Sequence, residues 1–253
     1  MKERAIGVFD SGLGGISVLN SCVNELPNES YIYFADKNNA PYGDKTTEEI
    51  IDLVDNVVKN IFVPKGVKAI VIACNTATNA AIDVIREKYK IPIIGTEPAI
   101  KPALLKCKDD KKVLVMATES TINSKKLKTK LSQYDKDRYI AIGCSGLVEL
   151  IESNDFAGIK CCLNDLLNGI NKQEIESVVL GCTHYPFVIE NLKEVLGDDV
   201  EFIHGGEGVA RRLKEILLKF DILSEKNKGL SVELFNSLNE EYNDKLRQYI
   251  GRK

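Results

Sequence analysis

Residues 177–186 read SVVLGCTHYP, an apolar, β-branched run that stops at Gly181 and delivers Cys182, Thr183 and His184 before Tyr185-Pro186 opens a new element. A short run of this kind, ended by a glycine, predicts a strand buried on both faces. Residues 68–76, KAIVIACNT, repeat the pattern: strand, small residue, cysteine, threonine. Two cysteines at the ends of two similar strands suggest two reactive groups serving one site.

Outward from these strands the chain alternates. Residues 5–9 form an apolar run that breaks at Asp10-Ser11-Gly12-Leu13-Gly14-Gly15, after which Ile16, Leu19, Cys22 and Val23 recur at helical spacing. Further strands are predicted at 31–35, 91–95, 112–117, 139–143 and 200–203, with an edge strand at 230–235. Helices are predicted at about 76–89, 118–134, 147–152, 155–169, 185–196 and 207–220. Capping boxes at Thr46–Glu49 and Ser237–Glu240 are expected to open two more. Strands alternating with amphipathic helices predict an α/β class with parallel sheets. Asp10 and Cys74 follow strands in the first half as Thr118 and Cys182 do in the second, so two similar α/β domains are expected. The first comprises 1–97 and 208–253, the second 98–207. If they face each other, the carboxyl ends of all four strands line one cleft, where ligands of such sheets bind.

The composition, 44% hydrophobic and 28% charged, is that of a soluble globular protein. A net charge of −3 argues against nucleic-acid binding, which calls for a basic excess. Apolar runs such as 69–74 are far too short to cross a bilayer. MKERAIGVFD reaches Asp10 too soon to hold a signal-peptide apolar region. Seven cysteines, an odd number, then point to reduced thiols in the cytoplasm.

Several chemistries compete for these residues. The DSGLGG turn lacks both the Gly-Lys-Ser/Thr of a phosphate loop and the G-x-G-x-x-G spacing. What remains is a small anion site suited to a carboxylate, or a structural turn. Cys22, Cys107, Cys161 and Cys162 read as buried core thiols. Cys74 and Cys182 differ, since each precedes a helix, whose N-terminus favours the thiolate, and each is followed by polar groups, Asn75-Thr76 and Thr183-His184. Zinc is disfavoured with two histidines and no C-x-x-C, and a redox pair for the same lack. His204, before two glycines, reads as a turn residue.

Taken together, FDSGLGGISVL, APYG, ACNTA, PAIKPA, AT followed by Thr121, and LGCTHYP resemble in order and spacing the bacterial glutamate racemases. The Thr-His after Cys182 is similar to these rather than to the aspartate racemases, in which Thr-Glu commonly follows. The match covers most of the chain. It departs at Cys144-Ser145, where Cys-Pro is frequent, at Glu149, where proline is common, and near His204-Gly205-Gly206, where Asp-Ser-Gly is frequent.

The resemblance implies a cofactor-independent interconversion of L- and D-glutamate for peptidoglycan, with one base on each face of the substrate carbon. Cys74 acts on the D isomer, assisted by Asp10, and Cys182 on the L isomer, assisted by His184. Ser11, Pro41, Tyr42, Gly43, Asn75, Thr76, Thr118, Thr121 and Thr183 match substrate-holding positions, and Glu152 matches an acid that supports the histidine. A homodimer is expected because the family often forms one. Three alternatives stand beside this reading: a racemase for aspartate or another amino acid, a decarboxylase of the superfamily, which keeps one of the two cysteines, and a non-catalytic amino-acid-binding protein.

Overall fold

A computed structural model of the chain describes residues 1–225 and 230–251. Its strands are β1 (Ile6–Asp10), β2 (Ser30–Ala35), β3 (Ala69–Ile72), β4 (Ile93–Gly95), β5 (Lys112–Ala117), β6 (Tyr139–Gly143), β7 (Ile175–Leu180), β8 (Glu201–His204) and β9 (Ser231–Asn236). The first helices are α1 (Ile16–Glu25), α2 (Thr47–Val57), α3 (Asn75–Lys88), α4 (Ile100–Lys106), α5 (Glu119–Asn123) and α6 (Lys125–Leu131). They are followed by α7 (Leu147–Ser153), α8 (Phe156–Leu166), α9 (Ile189–Leu196), α10 (Gly206–Lys219) and α11 (Glu240–Arg247). The chain divides into two compact units, 1–96 with 206–253, and 97–205.

The first unit holds a parallel sheet of order β4-β3-β1-β2-β9. Side chains alternate across a strand, so Phe9, Ile32, Phe34, Ile70 and Ile72 share one face, where they meet Val54 and Val57 of α2 and Ile82 and Ile85 of α3. The opposite face is equally dry, with Val8, Tyr31, Tyr33 and Val71 buried. Helices α1 and α10 pack on each other. Burial on both faces is why these strands read as continuous apolar runs.

The second unit is a parallel sheet of order β6-β5-β7-β8. Leu114, Met116, Val178 and Leu180 face α7, α8 and α9, while Val113, Val115 and Val179 face α4 and α6. Apart from the added edge strand β9, each sheet has its second strand beside its first and its third on the first strand's other side. The two are thus the same α/β arrangement, the internal echo that the paired cysteine strands suggest.

Local signals explain most boundaries. Thr46 opens α2 with a reciprocal cap: its Oγ accepts the Glu49 N–H at 3.2 Å and its own N–H donates to the Glu49 carboxylate at 2.8 Å. The helix expected over 118–134 is two helices, because Ser124 takes extended backbone and its Oγ accepts the Leu127 N–H at 3.2 Å, capping α6. Ser237 does not cap the last helix. Asn239 does, accepting the Tyr242 N–H at 2.9 Å. The segment 185–196 begins with a 3-10 turn at Tyr185–Val188 before α9. His204 ends β8, paired with Leu180, rather than lying in a turn. Cys22 and Cys107 are buried as expected, but on α8, where Ile159 and Leu163 are the fully buried residues, Cys162 packs against the core half-buried and Cys161 is exposed.

One buried ion pair fastens the first unit's chain segments. Lys68, its side chain fully covered, lies 2.5 Å from the Glu29 carboxylate and donates to the carbonyls of Lys2 and Ile222 at 2.5 and 2.8 Å. The second Glu29 oxygen accepts the Ser224 N–H at 2.8 Å. Removing one partner strands the other charge in the interior, which costs about 3–5 kcal/mol. Lys68→Met is therefore expected to lower unfolding stability by about that amount in urea titrations, and Lys68→Met with Glu29→Leu to recover most of it.

Candidate active site

Within each unit the residues singled out in the sequence gather at the carboxyl ends of two adjacent parallel strands. Asp10 ends β1 and Cys74 follows its neighbour β3, with Ala73 N–H donating to Phe9 O at 2.8 Å. In the second unit Thr118 follows β5 and Cys182 follows the neighbouring β7, with Gly181 N–H donating to Met116 O at 2.7 Å. In both sheets this is where the chain turns from one side of its first strand to the other, the crevice that binds ligands in open α/β sheets.

Two glycines make these crevices possible. A Cβ on Gly15 would lie 2.4 Å from the Asp10 Cβ and 2.7 Å from the Tyr33 hydroxyl. A Cβ on Gly181 would lie 2.9 Å from the Met116 carbonyl oxygen. Both chains must pass close to their neighbours, and only glycine permits that.

In the first crevice Asp10 is fully buried, and its carboxylate accepts the Gly12 N–H at 2.9 Å. The Tyr33 hydroxyl donates to the Gly12 carbonyl at 2.6 Å, so the DSGLGG turn is held from inside. Cys74 is the N-cap of α3: its Sγ accepts the Ala77 N–H at 3.4 Å and lies 3.7 Å from the Ser11 hydroxyl. A helix start supplies unpaired N–H groups and a positive dipole end, which favour a thiolate there. Asn75 and Thr76, the first residues of α3, are both buried, and Asn75 points its amide at the Thr96 carbonyl 3.5 Å away. The loop containing Pro41, Tyr42 and Gly43 returns to this point. Tyr42 is buried beside Phe9 in the cluster that includes Cys74.

Sequence reasoning passed over Asp36. This buried carboxylate accepts the Tyr42 hydroxyl at 2.7 Å and the Asn39 amide at 3.0 Å, and its N–H donates to Asp10 O at 2.9 Å. The available signal was an acid directly after a buried strand, the pattern that did single out Asp10.

In the second crevice the Thr118 hydroxyl caps α5 and donates to the Thr121 hydroxyl at 2.9 Å. Cys182 Sγ lies 3.7 Å from His184 Nδ1, and His184 Nε2 lies 3.0 Å from a Glu152 oxygen. Thr183, His184 and Glu152 are buried. Burial by itself lowers the basicity of His184, but hydrogen bonds to Cys182 and Glu152 and their charges outweigh it and raise its pKa to about 10. The expected helix directly after Cys182 is instead a 3-10 turn that begins three residues on, at Tyr185, whose N–H donates to Cys182 O at 3.2 Å. Thus Cys74 has a helix N-terminus, whereas Cys182 has an imidazolium–carboxylate pair. Cys144, which the chemistry does not single out, is buried, and burial pushes its thiol up to about 12. Among the described residues no three His, Cys, Asp or Glu group to hold a metal ion.

Each of these crevices can hold a thiolate and offer a small acid hydroxyl, amide and backbone donors. Residues 6–213 match the Asp/Glu/hydantoin racemase family model. Glutamate racemase of Clostridium perfringens is 47% identical over 244 residues, 95% of this chain and 93% of that protein. The crystal structure of glutamate racemase isoform RacE1 from Bacillus anthracis superposes with a TM-score of 0.85 at 30% identity, covering 100% of this chain and 96% of that one. Escherichia coli glutamate racemase, solved with L-glutamate and the activator UDP-MurNAc-ala, gives 0.84 at 28% identity, with 97% and 95% covered. With its paired cysteine crevices and this likeness along nearly its whole length, the chain belongs to the Asp/Glu/hydantoin racemase family and, within it, to the glutamate racemases.

Proposed function

We propose that this protein racemises glutamate by two-base proton transfer, with Cys74 and Cys182 as the bases and no cofactor. The observation that carries the reading is the equivalent position of the two cysteines, each at the strand crossover of its own sheet and each with a separate means of stabilising a thiolate. Inverting a stereocentre this way requires one base on each face of the carbon. With L-glutamate, the Cys182 thiolate takes the Cα proton and becomes a thiol, while the Cys74 thiol donates its proton to the opposite face and becomes a thiolate. Protons and charge balance. The enzyme is left poised for the D isomer, so a full cycle returns the protons in reverse.

The assisting roles follow the local contacts. His184, charged and held by Glu152, stabilises the Cys182 thiolate, and Asp10 assists Cys74. Ser11, Asn75, Thr76, Thr118, Thr121, Thr183 and the Pro41-Tyr42-Gly43 loop hold the carboxylates and ammonium. The Cα–H of an amino acid is a very weak acid, so preorganised donors in a water-excluding site have to stabilise the carbanion-like transition state. The product serves as the D-glutamate precursor of peptidoglycan, in the cytoplasm, and the working form is a homodimer. The two compact units are the two domains of this enzyme. No helix among the described residues is long and apolar enough to cross a membrane.

Replacing either Cys74 or Cys182 by serine puts a far weaker acid in place of a thiol, and racemisation is expected to fall at least about a thousandfold with the circular dichroism unchanged. Full activity in either variant would remove the two-base mechanism. In deuterium oxide, Cα exchange is expected to be fastest with glutamate in a panel of amino acids. Faster exchange with aspartate would reassign the substrate, and glutamate binding by calorimetry without exchange would favour a silent binding protein.

The His184 array predicts a pH signature. A histidine whose folded pKa, about 10, exceeds its ordinary 6.5 contributes stability that is fully present below 6.5 and lost as pH rises through about 10. Glu152→Gln removes the second partner and is expected to lower the His184 pKa and move the alkaline limb of kcat/KM to lower pH. With only two histidines in the chain, the His184 ring signal can be followed directly by NMR titration. An unmoved His184 pKa in Glu152→Gln would refute the supporting role of Glu152.

A further inference from the structure

The turn joining β9 to α11 grips the substrate-holding loop from outside. Ser237 Oγ accepts the Asn38 backbone N–H at 2.9 Å, and the Asn38 side-chain amide donates back to the Ser237 carbonyl. Ser237 N–H donates to Ala35 O at 3.0 Å, extending the pairing of β9 with β2 just past Ala35 and Asn236. The Lys37 ammonium lies over the Tyr242 ring of α11, 5.8 Å from its centroid.

The turn is shaped by its own bonds. Asn236 Oδ1 accepts the N–H groups of Leu238 and Asn239 at 2.7 and 2.8 Å, and its Nδ2 donates to Asn239 O and Asn243 Oδ1, both at 2.7 Å. Ser237 is thus presented at a fixed place by residues that touch neither cysteine. All of this lies beyond 6–213, the segment that matches the family model.

The loop that is gripped has its own anchors at Asp36, which binds the Asn39 amide as well as Tyr42. Tyr42 is buried and its hydroxyl is bound by Asp36, whereas Asn38 is exposed and half-buried Asn39 and Ala40 lead into Pro41. Water would otherwise compete for the Asn38 amide. A loop that holds substrate through backbone groups has to stay in place to fractions of an ångström to be productive.

We propose that the 236–239 turn is a buttress for the 36–43 loop, with Ser237 as a positioning residue that holds the loop in its glutamate-binding place. The proposal rests on the racemase reading above. Asn236 sets the turn, Ser237 binds Asn38, and the fixed arc delivers Pro41, Tyr42 and Gly43 beside Cys74. The carboxyl-terminal segment contributes no group to the chemistry and acts on substrate binding alone.

Ser237→Ala is the test, with Ser237→Thr, which keeps the acceptor, as the conservative control. Loss of one hydrogen bond is expected to raise KM for glutamate about fivefold while kcat stays within about twofold, and to speed amide deuterium uptake in 36–43. Ser237→Thr is expected to restore both. Unchanged KM, with or without faster uptake, overturns the proposal, as does a fall in kcat at constant KM. Failure of the racemase reading is told apart without any variant, because the unaltered protein would then show no Cα exchange with glutamate.

Discussion

The molecule depends on a topological constraint of parallel sheets. In each sheet the first crossover places the second strand on one side of the first strand, and the next crossover carries the chain back to the other side. Between the first strand and its third-in-sequence neighbour the two connections diverge and leave a crevice at the carboxyl ends. Both sheets have this order, so β1 and β3 open one crevice and β5 and β7 another. Asp10 and Cys74 occupy the first, Thr118 and Cys182 the second. The apolar strands, covered on both faces, hold these ends rigidly, and Gly15 and Gly181 admit the close chain approach that the crevices need.

A buried thiolate is costly unless something answers its charge. The two crevices would answer it differently. Cys74 borrows the N-terminus of α3, a helix of 14 residues, through its contact with the Ala77 N–H. Cys182 is followed by a short 3-10 turn, and beside it stand His184 and Glu152. A helix start presents fixed dipoles that do not titrate, whereas an imidazolium does. The surroundings of the two cysteines therefore differ in their response to pH although the sheets that carry them are alike.

Much of this was legible in the sequence, for identifiable reasons. The inner strands β1, β3 and β5 read as apolar runs because both their faces are buried, and the cysteines stood out because polar residues follow them at once. The Thr46 cap was readable because both of its partners lie within four residues. The split at Ser124 and the Asn239 cap were harder, since a serine inside a helical pattern or a second polar residue near a helix start competes locally with a plausible alternative. Cys161 was misread as core, and Cys162 is only half-buried against it, because burial depends on the face of α8 each occupies and composition does not report a face.

By itself the sequence determined the alternation of strands and helices, the repeated cysteine-ended strand and the family, since all of these follow from local periodicity and short motifs. Tertiary structure decided what those residues touch. The contact of Glu152 with His184 spans 32 positions, that of Lys68 with Glu29 spans 39, and that of Ser237 with Asn38 spans 199. No propensity or spacing encodes a partner at such range. It is fixed only when strands from distant parts of the chain come into register and bring their loops to the same edge.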